Sequence, residues 1–573
     1  MSLLWVALSQ PWGFRDVPLP QVEARVVNPY ESASLADYER FHEAVRQGDT
    51  AALGALLARP TADFLTYRTL LVLAQDGGLA AAERVDFYRR ALELRIDDPL
   101  ARGEARALHL GLAQAAEQAG LVEDAISAYA EALPLEEAVA GLERIETPSA
   151  RANLYLQNRD YTGALRALDG RAAPSIEAPA YRALGEHGLA LDAYRRWLEE
   201  VPGSVEARYG EAWSLLSLGQ NEAADARFAA LPGADALYGR GVVARRGGDT
   251  DTAVDFFLQT GEARRMWQAT DLLEDQSRAQ DAIPIYLTLA QTASSYADDA
   301  AYRALVLAER YGDEEAAASA RARLPTFSYF GLREGETLSL PQTSSLPKIT
   351  PSVLERADAL LRAYDPEAAV GELLFALRDA RDEAATVAIA EKLQEFGEFR
   401  QSGRAAEAYV ERGSRDLRTW RAAYPRAYPL IVRTHAEGQG LEPELIWAVM
   451  RRESRFYPQA VSRTGAKGLM QFVSLTWDWV AELLGETPGD PFDPEDNIRY
   501  GAFYLRWLTD YFSGDLERVV PSYNGGQGYI GRLFEAEPVN GDKTEFYRFI
   551  SRAEPREYLQ AVLLDYEVYK GLY

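Results

Sequence analysis

The chain has 573 residues, enough for two or three domains, and its 47% hydrophobic and 26% charged residues are typical of a soluble globular protein. Its formal net charge of −26 disfavours nucleic acid and anionic membrane surfaces as partners. Cysteine is absent, so neither disulfides nor thiolate chemistry contribute.

The first 34 residues are expected to form an N-terminal extension. Met1–Leu8 is a short apolar run that is too brief to span a membrane and has no basic residue before it. It is either the remnant of an export signal or the first buried segment. No other stretch is apolar enough to predict a transmembrane segment.

Residues 35–350 are predicted to form an α-superhelix of tetratricopeptide-like helical hairpins, ending in a linker. A small alanine recurs four residues before a bulky side chain, and neighbouring copies from Ala164 onward lie about 30 residues apart, close to a helical-hairpin repeat. Small residues let paired helices approach, and bulky ones fill the groove of the next hairpin. The alternative is an irregular helical domain without true repeats. The pairs are Ala125/Tyr129, Ala164/Leu168, Ala193/Trp197, Ala224/Phe228, Ala253/Phe257 and Ala282/Tyr286.

Residues 325–350 break the helical pattern with proline, glycine and a Thr-Ser-Ser run, which predicts a loop or linker. Residues 351–413 regain helical periodicity as a short linking domain, and residues 414–573 form the last domain. The segment 411–573 contains 20 basic and 24 acidic residues, so most of the negative charge falls on residues 1–410.

A helix is predicted to begin at Pro443, which suits a first helical turn because its missing N–H is not needed there. The apolar side chains of one face are Leu445, Ile446, Val449 and Met450. Glu453 extends this face at i+4 from Val449. Burial would disfavour its charged form and raise its pKa, which suits a proton donor. Alternatively, Glu453 reaches water or pairs with Arg451, Arg452 or Arg455.

A small, polar loop from Ser462 to Gly468 follows, and its glycines would let backbone approach a ligand closely. The four histidines are scattered and form no metal-ligand spacing, so we expect no metal site. Aromatic residues near the loop fit both sugar stacking and core packing, and core packing is expected for Tyr504 and Trp507.

Four motifs occur in this order: E-S at 453–454, G-A-x-G-L-M-Q at 465–471, D-P-x-x-N-I at 493–498 and S-Y-N-G-G at 522–526. Together they resemble the soluble lytic murein transglycosylases, relatives of goose-type lysozyme, over roughly residues 415–573. The order of helical superhelix, linking segment and C-terminal lysozyme-like domain also resembles the large members of that family, in which the helical part holds glycan strands near the active site.

The resemblance implies a mostly α fold, with Glu453 as the single catalytic acid. It also implies a set of substrate-binding residues: Ser462, Met470, Gln471, Tyr523, Asn524 and Tyr558. In this family the acid protonates the bond between N-acetylmuramic acid and N-acetylglucosamine, and then removes the proton of the 6-hydroxyl. The product is a 1,6-anhydromuramic acid end, formed without water or a cofactor.

The resemblance also implies export to the periplasm or cell envelope, with peptidoglycan glycan strands as the partner and the superhelix as a candidate surface for envelope proteins. Two alternatives remain. A hydrolytic muramidase on the same fold would need a second carboxylate from Asp478, Asp490, Asp493, Glu495 or Asp496, although Asp493 before Pro494 is expected to cap a helix. The other is a non-catalytic scaffold that grips glycan or protein.

Three positions depart from the family pattern. Phe472-Val473-Ser474 stands where a hydrophobic pair and a proline are usual, so a methionine wall of the sugar site becomes valine. Arg548 replaces a common groove glutamate, and Ser551 replaces a proline. These departures concern substrate binding and leave the acid unaffected.

Overall fold

The computed structural model describes residues 33–59, 62–95, 102–145, 147–462, 464–536, 539, 541–550 and 553–573. The predicted extension up to residue 32 and the Ser551 departure lie outside these ranges. The described residues are mostly α-helical, as predicted, with isolated β-bridges at Val461–Lys467 and Lys467–Phe472. In the described part of the chain, no helix is both long and apolar enough to cross a membrane.

Contacts divide the chain into two compact units. The first contains residues 1–79, 86–102 and 326–573, and the second contains residues 80–85 and 103–325. The N-terminal helices are α1 (Leu35–Gln47), α2 (Thr50–Leu56), α3 (Phe64–Gln75) and α4 (Ala81–Leu94). The helices of the second unit are α5 (Arg102–Gln118), α6 (Val122–Ala132), α7 (Glu136–Ile145), α8 (Pro148–Gln157), α9 (Tyr161–Ala167), α10 (Pro174–Ala183), α11 (His187–Glu200), α12 (Val205–Ser217), α13 (Asn221–Ala229), α14 (Ala234–Arg246), α15 (Thr250–Gln259), α16 (Ala263–Asp275), α17 (Ala279–Leu289), α18 (Ala297–Tyr311) and α19 (Glu314–Arg321).

The second unit is a stack of helical hairpins, in which most helices pack on the next one and several also on the one after that. The alanines of the predicted pairs are fully buried, and the aromatic rings of one hairpin press on glycines of the next helix. A Cβ added at Gly239 would lie 2.5 Å from the Phe228 ring, and one at Gly210 would lie 2.1 Å from the Tyr194 ring. The pair Ala193/Trp197 needs a correction. The buried bulky side chain is that of Tyr194, whereas Trp197 is half-buried and stacks on the Tyr194 ring with 6.2 Å between the ring centroids.

The first unit joins the N-terminal helices to the segment that follows residue 350. Its later helices are α20 (Tyr329–Arg333), α21 (Ser352–Arg362), α22 (Pro366–Asp379), α23 (Glu383–Glu395), α24 (Phe399–Glu411) and α25 (Leu417–Ala423). The Tyr38 hydroxyl of α1 donates to Glu372 of α22 at 2.6 Å, and Arg68 of α3 lies 2.9 Å from Asp365. These contacts group residues 33–79 with residues 351–413, whereas the sequence analysis assigned residues from 35 onward to the superhelix. The four-domain division itself stays a prediction.

The segment 326–350 is more than a linker. It contains α20, whose Tyr329 and Phe330 are buried, and the Tyr329 hydroxyl donates to Glu517 at 2.7 Å. Further along, the Asp416 carboxylate accepts hydrogen bonds from the Ser344 hydroxyl at 2.8 Å and from two backbone N–H groups, those of Ser345 and Leu346. The segment therefore packs on the residues that follow 413 and forms part of their fold.

The last eight helices carry the motifs. They are α26 (Pro429–Gln439), α27 (Pro443–Glu453), α28 (Ser474–Leu484), α29 (Pro494–Tyr511), α30 (Leu516–Gly525), α31 (Gln527–Glu535), α32 (Lys543–Phe549) and α33 (Ala553–Leu572). Both α27 and α30 pack on the long helix α33, which brings three of the predicted site residues to the same region.

Candidate active site

Helix α27 is the buried centre of this domain. Pro443 occupies its first turn, as predicted. The predicted apolar face is buried, and burial extends around the helix to every residue from Leu445 to Arg451, including Trp447, whose indole N–H donates to the Ala427 carbonyl at 2.8 Å. A helix that is buried on all sides lies in a domain core. It therefore holds its last residue, Glu453, in a fixed position.

Glu453 is half-buried and lies beside two tyrosine side chains. Burial raises the pKa of the Tyr523 hydroxyl well above its usual value, and the charge of Glu453 adds to this effect. Burial also raises the pKa of Tyr558, again with the Glu453 charge as the next cause. Both tyrosines therefore remain protonated. The Tyr523 hydroxyl donates its proton to the Met470 carbonyl, and the Tyr558 hydroxyl can donate to the carboxyl group.

The chain turns sharply after Glu453. Arg455 and Phe456 adopt left-handed backbone conformations with φ of 50° and 64°, which non-glycine residues seldom adopt. Phe456 is only 4% exposed, so packing of its ring holds the second of these conformations. Strained backbone of this kind concentrates at functional sites, where the surrounding structure enforces it.

The glycine-containing loop folds back on itself beside this turn. Lys467 pairs with both Val461 and Phe472 through β-bridges, and the Gly468 N–H donates to the Ala460 carbonyl at 2.9 Å. Gly468 has a φ of 79°, and a Cβ there would lie 2.1 Å from the Pro491 carbonyl oxygen, so only glycine fits. The loop is thus tightly packed.

Gln471 ends the loop with a φ of 52°, and its amide nitrogen donates to the Ala460 carbonyl at 3.1 Å and the Gly468 carbonyl at 2.8 Å. Both partners are acceptors, so the nitrogen must face them and the side-chain oxygen points elsewhere. That oxygen accepts no hydrogen bond from the residues described here. It can therefore accept one from a ligand hydroxyl or amide.

Met470 is fully buried, so its side chain does not line an open groove. Its N–H donates to the Asn497 side chain at 2.7 Å, and its carbonyl accepts from the Tyr523 hydroxyl at 2.9 Å. The sulfur packs against Gly501 of α29. Met470 thereby links the loop to Tyr523 through its backbone.

We expect Gly501→Ala to destabilise the domain by about 1–3 kcal/mol, because the new methyl group overpacks the core. Its Cβ would lie 1.9 Å from the sulfur and 2.6 Å from the terminal methyl group of the fully buried Met470 side chain. Gly531→Ala is the matched control, since its nearest neighbours beyond α31 are 3.8 and 4.0 Å away. Urea unfolding measures both variants, and equal midpoints would contradict the packing described here.

The remaining predicted residues occupy different surroundings. Asn524 follows Tyr523 in the last turn of α30 and is half-buried. Ser462 lies in the loop, where its hydroxyl accepts from the Ala466 N–H at 3.0 Å and contacts the Thr464 hydroxyl at 3.0 Å. The structure thus brings Glu453, Tyr523 and Tyr558 together and links Met470 to them, while Ser462 serves a turn within the loop.

The three arginines that flank Glu453 pair with other carboxylates, which could not be identified from the sequence. Arg451 and Arg455 both pair with Glu407 of α24, and Arg452 holds Asp565 of α33 with Nε–Oδ2 and Nη2–Oδ1 distances of 2.6 and 3.0 Å. The signal that pointed to such partners is the density of cations on a helix predicted to be buried, since buried charges are paired. Their identity depends on long-range contacts.

The aromatic residues near the loop form a connected cluster. Tyr504 is 7% exposed and lies 5.3 Å from the Tyr523 ring, and the expectation of core packing is confirmed for Tyr504. Trp507 is half-buried between Trp479 and Tyr511, at ring distances of 5.1 and 5.3 Å.

Val473, where the family usually has a larger side chain, is 40% exposed. Within the described ranges, no group of histidines and carboxylates could hold a metal ion.

A buried helix that ends in a glutamate, a left-handed turn after it and two tyrosines beside the glutamate make up the candidate site. In agreement, residues 431–546 match the family model described as the transglycosylase SLT domain. The match includes Glu453, the loop and Tyr523, and it ends before Tyr558. The resemblance predicted from the four motifs is confirmed over this range.

Two individual proteins are similar to part of this chain in sequence. Membrane-bound lytic murein transglycosylase C of Yersinia pestis (strain Pestoides F) is 36% identical over 147 residues, which cover 24% of this chain and 40% of that protein. The protein of the same name from Yersinia pseudotuberculosis serotype O:1b (strain IP 31758) gives the same values. The chain thus spans 40% of the length of these relatives.

A solved structure covers nearly the whole chain. The 70-kDa soluble lytic transglycosylase, in its complex with bulgecin A, superposes with a TM-score of 0.52 at 16% identity. The alignment covers 94% of this chain and 91% of that protein. At this identity the likeness establishes the fold alone, and it confirms the predicted combination of an α-superhelix and a C-terminal lysozyme-like domain.

Proposed function

We propose that the protein is a lytic transglycosylase that cleaves the β-1,4 bond between N-acetylmuramic acid and N-acetylglucosamine in peptidoglycan. The observation that carries the proposal is the carboxyl group of Glu453 beside the hydroxyls of Tyr523 and Tyr558, at the end of a buried helix. Among the described residues, Glu453 is the one carboxylate whose charge acts on Tyr523. A single acid at this position is compatible with substrate-assisted cleavage, in which the substrate and not a second carboxylate supplies the nucleophile.

In the proposed reaction, protonated Glu453 donates its proton to the glycosidic oxygen, and the bond between that oxygen and C1 of the muramic acid breaks. The carbonyl oxygen of the substrate's own N-acetyl group bonds to C1 and stabilises the cation. The Glu453 carboxylate then removes the proton of the 6-hydroxyl, whose oxygen attacks C1 and displaces the acetamido oxygen. Glu453 is protonated again, and the new end is 1,6-anhydromuramic acid. General acid–base catalysis of this kind contributes about 10²–10⁴-fold.

The residues around Glu453 have binding roles in this proposal. The side-chain oxygen of Gln471, whose amide nitrogen is held by two carbonyls, would accept a hydrogen bond from the sugar. Tyr523, Asn524 and Tyr558 would bind the sugar around the acid, and the charge of Glu453 acts on both tyrosines. Met470 acts through its carbonyl, which orients the Tyr523 hydroxyl at 2.9 Å. Ser462 shapes the loop.

The hydrolytic alternative needs a second carboxylate, and most of its candidates have partners elsewhere. Asp493 caps α29 by accepting from the N–H groups of Glu495 and Asp496 at 2.9 and 3.1 Å, so its predicted capping role is confirmed. Glu495 lies 2.6 Å from His435, Asp496 pairs with Arg499 at 3.1 Å, and the Asp490 carboxylate accepts from the Phe492 N–H at 2.9 Å. Asp478 is exposed on α28. These arrangements favour transglycosylation.

Two substitutions of Asp493 separate capping from catalysis. Asparagine caps a helix as well as aspartate does, so Asp493→Asn should keep both stability and activity within about twofold. Asp493→Ala should lose about 1 kcal/mol of stability and keep its activity. Unfolding curves and turnover of purified peptidoglycan measure the two effects. Loss of turnover in Asp493→Asn would support hydrolysis with Asp493 as the second carboxylate.

We also propose that the protein acts in the periplasm or cell envelope, as the names of its relatives suggest. The helical stack would hold glycan strands, and it is the candidate surface for envelope proteins. Its acidic character makes nucleic acid an unfavourable partner.

Mass spectrometry of purified peptidoglycan after digestion tests the proposed function. We expect fragments that end in 1,6-anhydromuramic acid from the wild-type protein. Reducing muramic acid ends, 18 mass units heavier because a water molecule has been added, would establish a hydrolase instead. A digest without products would favour the non-catalytic scaffold.

A further inference from the structure

Glu453 is surrounded in sequence by cations, which is unfavourable for a proton donor. Arg451 and Arg452 precede it and Arg455 follows two residues later, whereas nearby positive charge favours the ionised form of a carboxyl group. An acid that must be protonated near neutral pH therefore needs these charges neutralised. The structure contains two buried carboxylates in suitable places, one on α24 and one on α33.

Asp565 is the carboxylate on α33, and its side chain is completely buried. Both of its oxygens contact Arg452, at 2.6 Å to Nε and 3.0 Å to Nη2, and Arg451 lies 3.8 Å away. Asp565 lies seven residues after Tyr558, so the two side chains occupy the same face of α33. Arg452 directly precedes Glu453 in α27, and the charges of both residues act on the Tyr558 hydroxyl.

We propose that Asp565 is a positioning residue that preserves the proton affinity of Glu453 by neutralising Arg452. Asp565 does not contact the substrate. The inference rests on the proposed function, in which Glu453 is the acid. Its specific content is electrostatic: removing the negative charge of Asp565 must make Glu453 a stronger acid, and removing the positive charge of Arg452 must make it a weaker one.

Other groups are packed around this end of α27, and none of them takes the place of Asp565. Glu407 is occupied by Arg451 and Arg455, and His435 on α26 lies 2.6 Å from Glu495. Tyr523 and Tyr558 are neutral, because burial raises the pKa of both. Glu411 on α24 lies close enough for the charges of Arg451 and Arg455 to act on it, and Arg556 on α33 is buried two residues before Tyr558. Arg451 lies 3.8 Å from Asp565 but also pairs with Glu407, whereas Arg452 contacts both oxygens of Asp565.

Four variants test the proposal in the full chain: Asp565→Asn, Arg452→Gln, the double variant and Tyr566→Phe. The last is the matched control, because the Tyr566 hydroxyl bonds to Glu442 across the same α27–α33 contact at the opposite end of α27. The first readout is the titration of the Glu453 carboxyl carbon by NMR in protein labelled with ¹³C-glutamate, with Glu453→Gln identifying the signal. The second is the pH dependence of kcat/KM on purified peptidoglycan.

We expect the Glu453 midpoint to fall by about one pH unit in Asp565→Asn and to rise by a similar amount in Arg452→Gln. The double variant should return to within about 0.3 unit of the wild type, since it restores neutrality. Tyr566→Phe should leave the midpoint unchanged. Single variants that shift in the same direction, or a double variant no closer to wild type, would overturn the proposal. If Asp565→Asn does not fold, Arg452→Gln still tests the proposal, because it keeps Asp565 and should raise the Glu453 midpoint.

The titration also separates this inference from the proposed function. If the midpoints move as expected while the wild-type protein releases no anhydromuramic acid ends, the proposed function fails and the electrostatic role of Asp565 stands. If the wild-type protein releases those ends and the midpoints do not move, the role of Asp565 fails and the function stands.

Discussion

Glu453→Gln should lower the rate of glycan cleavage by about 10²–10⁴-fold or more, because the amide cannot donate the proton that the leaving oxygen needs. Glutamine has the same shape as glutamate, and Glu453 is half-buried at the end of its helix, so the variant should fold like the wild type. Release of soluble fragments from purified peptidoglycan measures the rate, and circular dichroism checks the fold. Binding of glycan fragments should be kept, since the surrounding residues are unchanged.

Glu444→Gln is the control for this substitution. Glu444 lies in the first turn of the same helix, at the end away from the site, so the same chemical change there should leave turnover within about twofold. A Glu453→Gln protein that retains more than a tenth of wild-type turnover would remove Glu453 from the role of acid.

Glu407→Gln should destabilise the protein by about 3–5 kcal/mol at pH 7, the cost of removing one partner from buried ion pairs. Glu407 pairs with both Arg451 and Arg455, and its side chain is only 16% exposed. Glu391→Gln is the matched control: its pair with Arg418 at 2.6 Å is a surface one with a 41% exposed carboxylate, so its loss should cost at most about 1 kcal/mol. Urea unfolding followed by tryptophan fluorescence measures the difference. Equal losses in the two variants would contradict the structure.

The Glu407 carboxylate should also make the stability of the fold depend on pH. Burial opposes ionisation of Glu407, but the charges of Arg451 and Arg455 outweigh it and lower its pKa from 4.5 to about 2. A carboxyl pKa that is lower in the folded state stabilises the fold above the unfolded value, near pH 4.5, and this stabilisation is lost as pH falls toward 2. The shift corresponds to about 3 kcal/mol. The stability gap between wild type and Glu407→Gln should therefore narrow between pH 4.5 and 2, and a constant gap would refute this assignment.

Local sequence patterns predicted the parts of the site that depend on near neighbours. Pro443 at the helix start and Asp493 at a cap each act over two or three residues, and both lie where the sequence placed them. Glu453 was predicted as the end of an apolar face, and it is the last residue of α27. The family motifs added Tyr523 and Tyr558, whose approach to Glu453 comes from the packing of α30 and α33.

Contacts between distant residues could not be predicted in this way. Arg452 and Asp565 are 113 residues apart, and Tyr38 and Glu372 are 334 apart, so no periodicity links them. Burial of α27 beyond its predicted apolar face could not be predicted for a related reason: a helix packed on several sides by α26, α29 and α33 can bury residues of any face. In the repeats, alanine marked the helix contacts correctly, while the choice between Tyr194 and Trp197 depended on Gly210 of the next helix.

The segment 326–350 packs on the part of the chain that follows residue 413. Tyr329 and Phe330 pack on Tyr547 with ring distances of 6.0 and 5.3 Å, and Phe327 lies 5.4 Å from Trp420. A protease cut at residue 413 would strip these aromatic side chains from the remaining fragment and bare the apolar surface beneath them, which promotes aggregation. A cut near residue 325 would leave them in place. A fragment that contains residues 414–573 therefore keeps the apolar side chains beneath this segment covered only when it also includes residues 326–350.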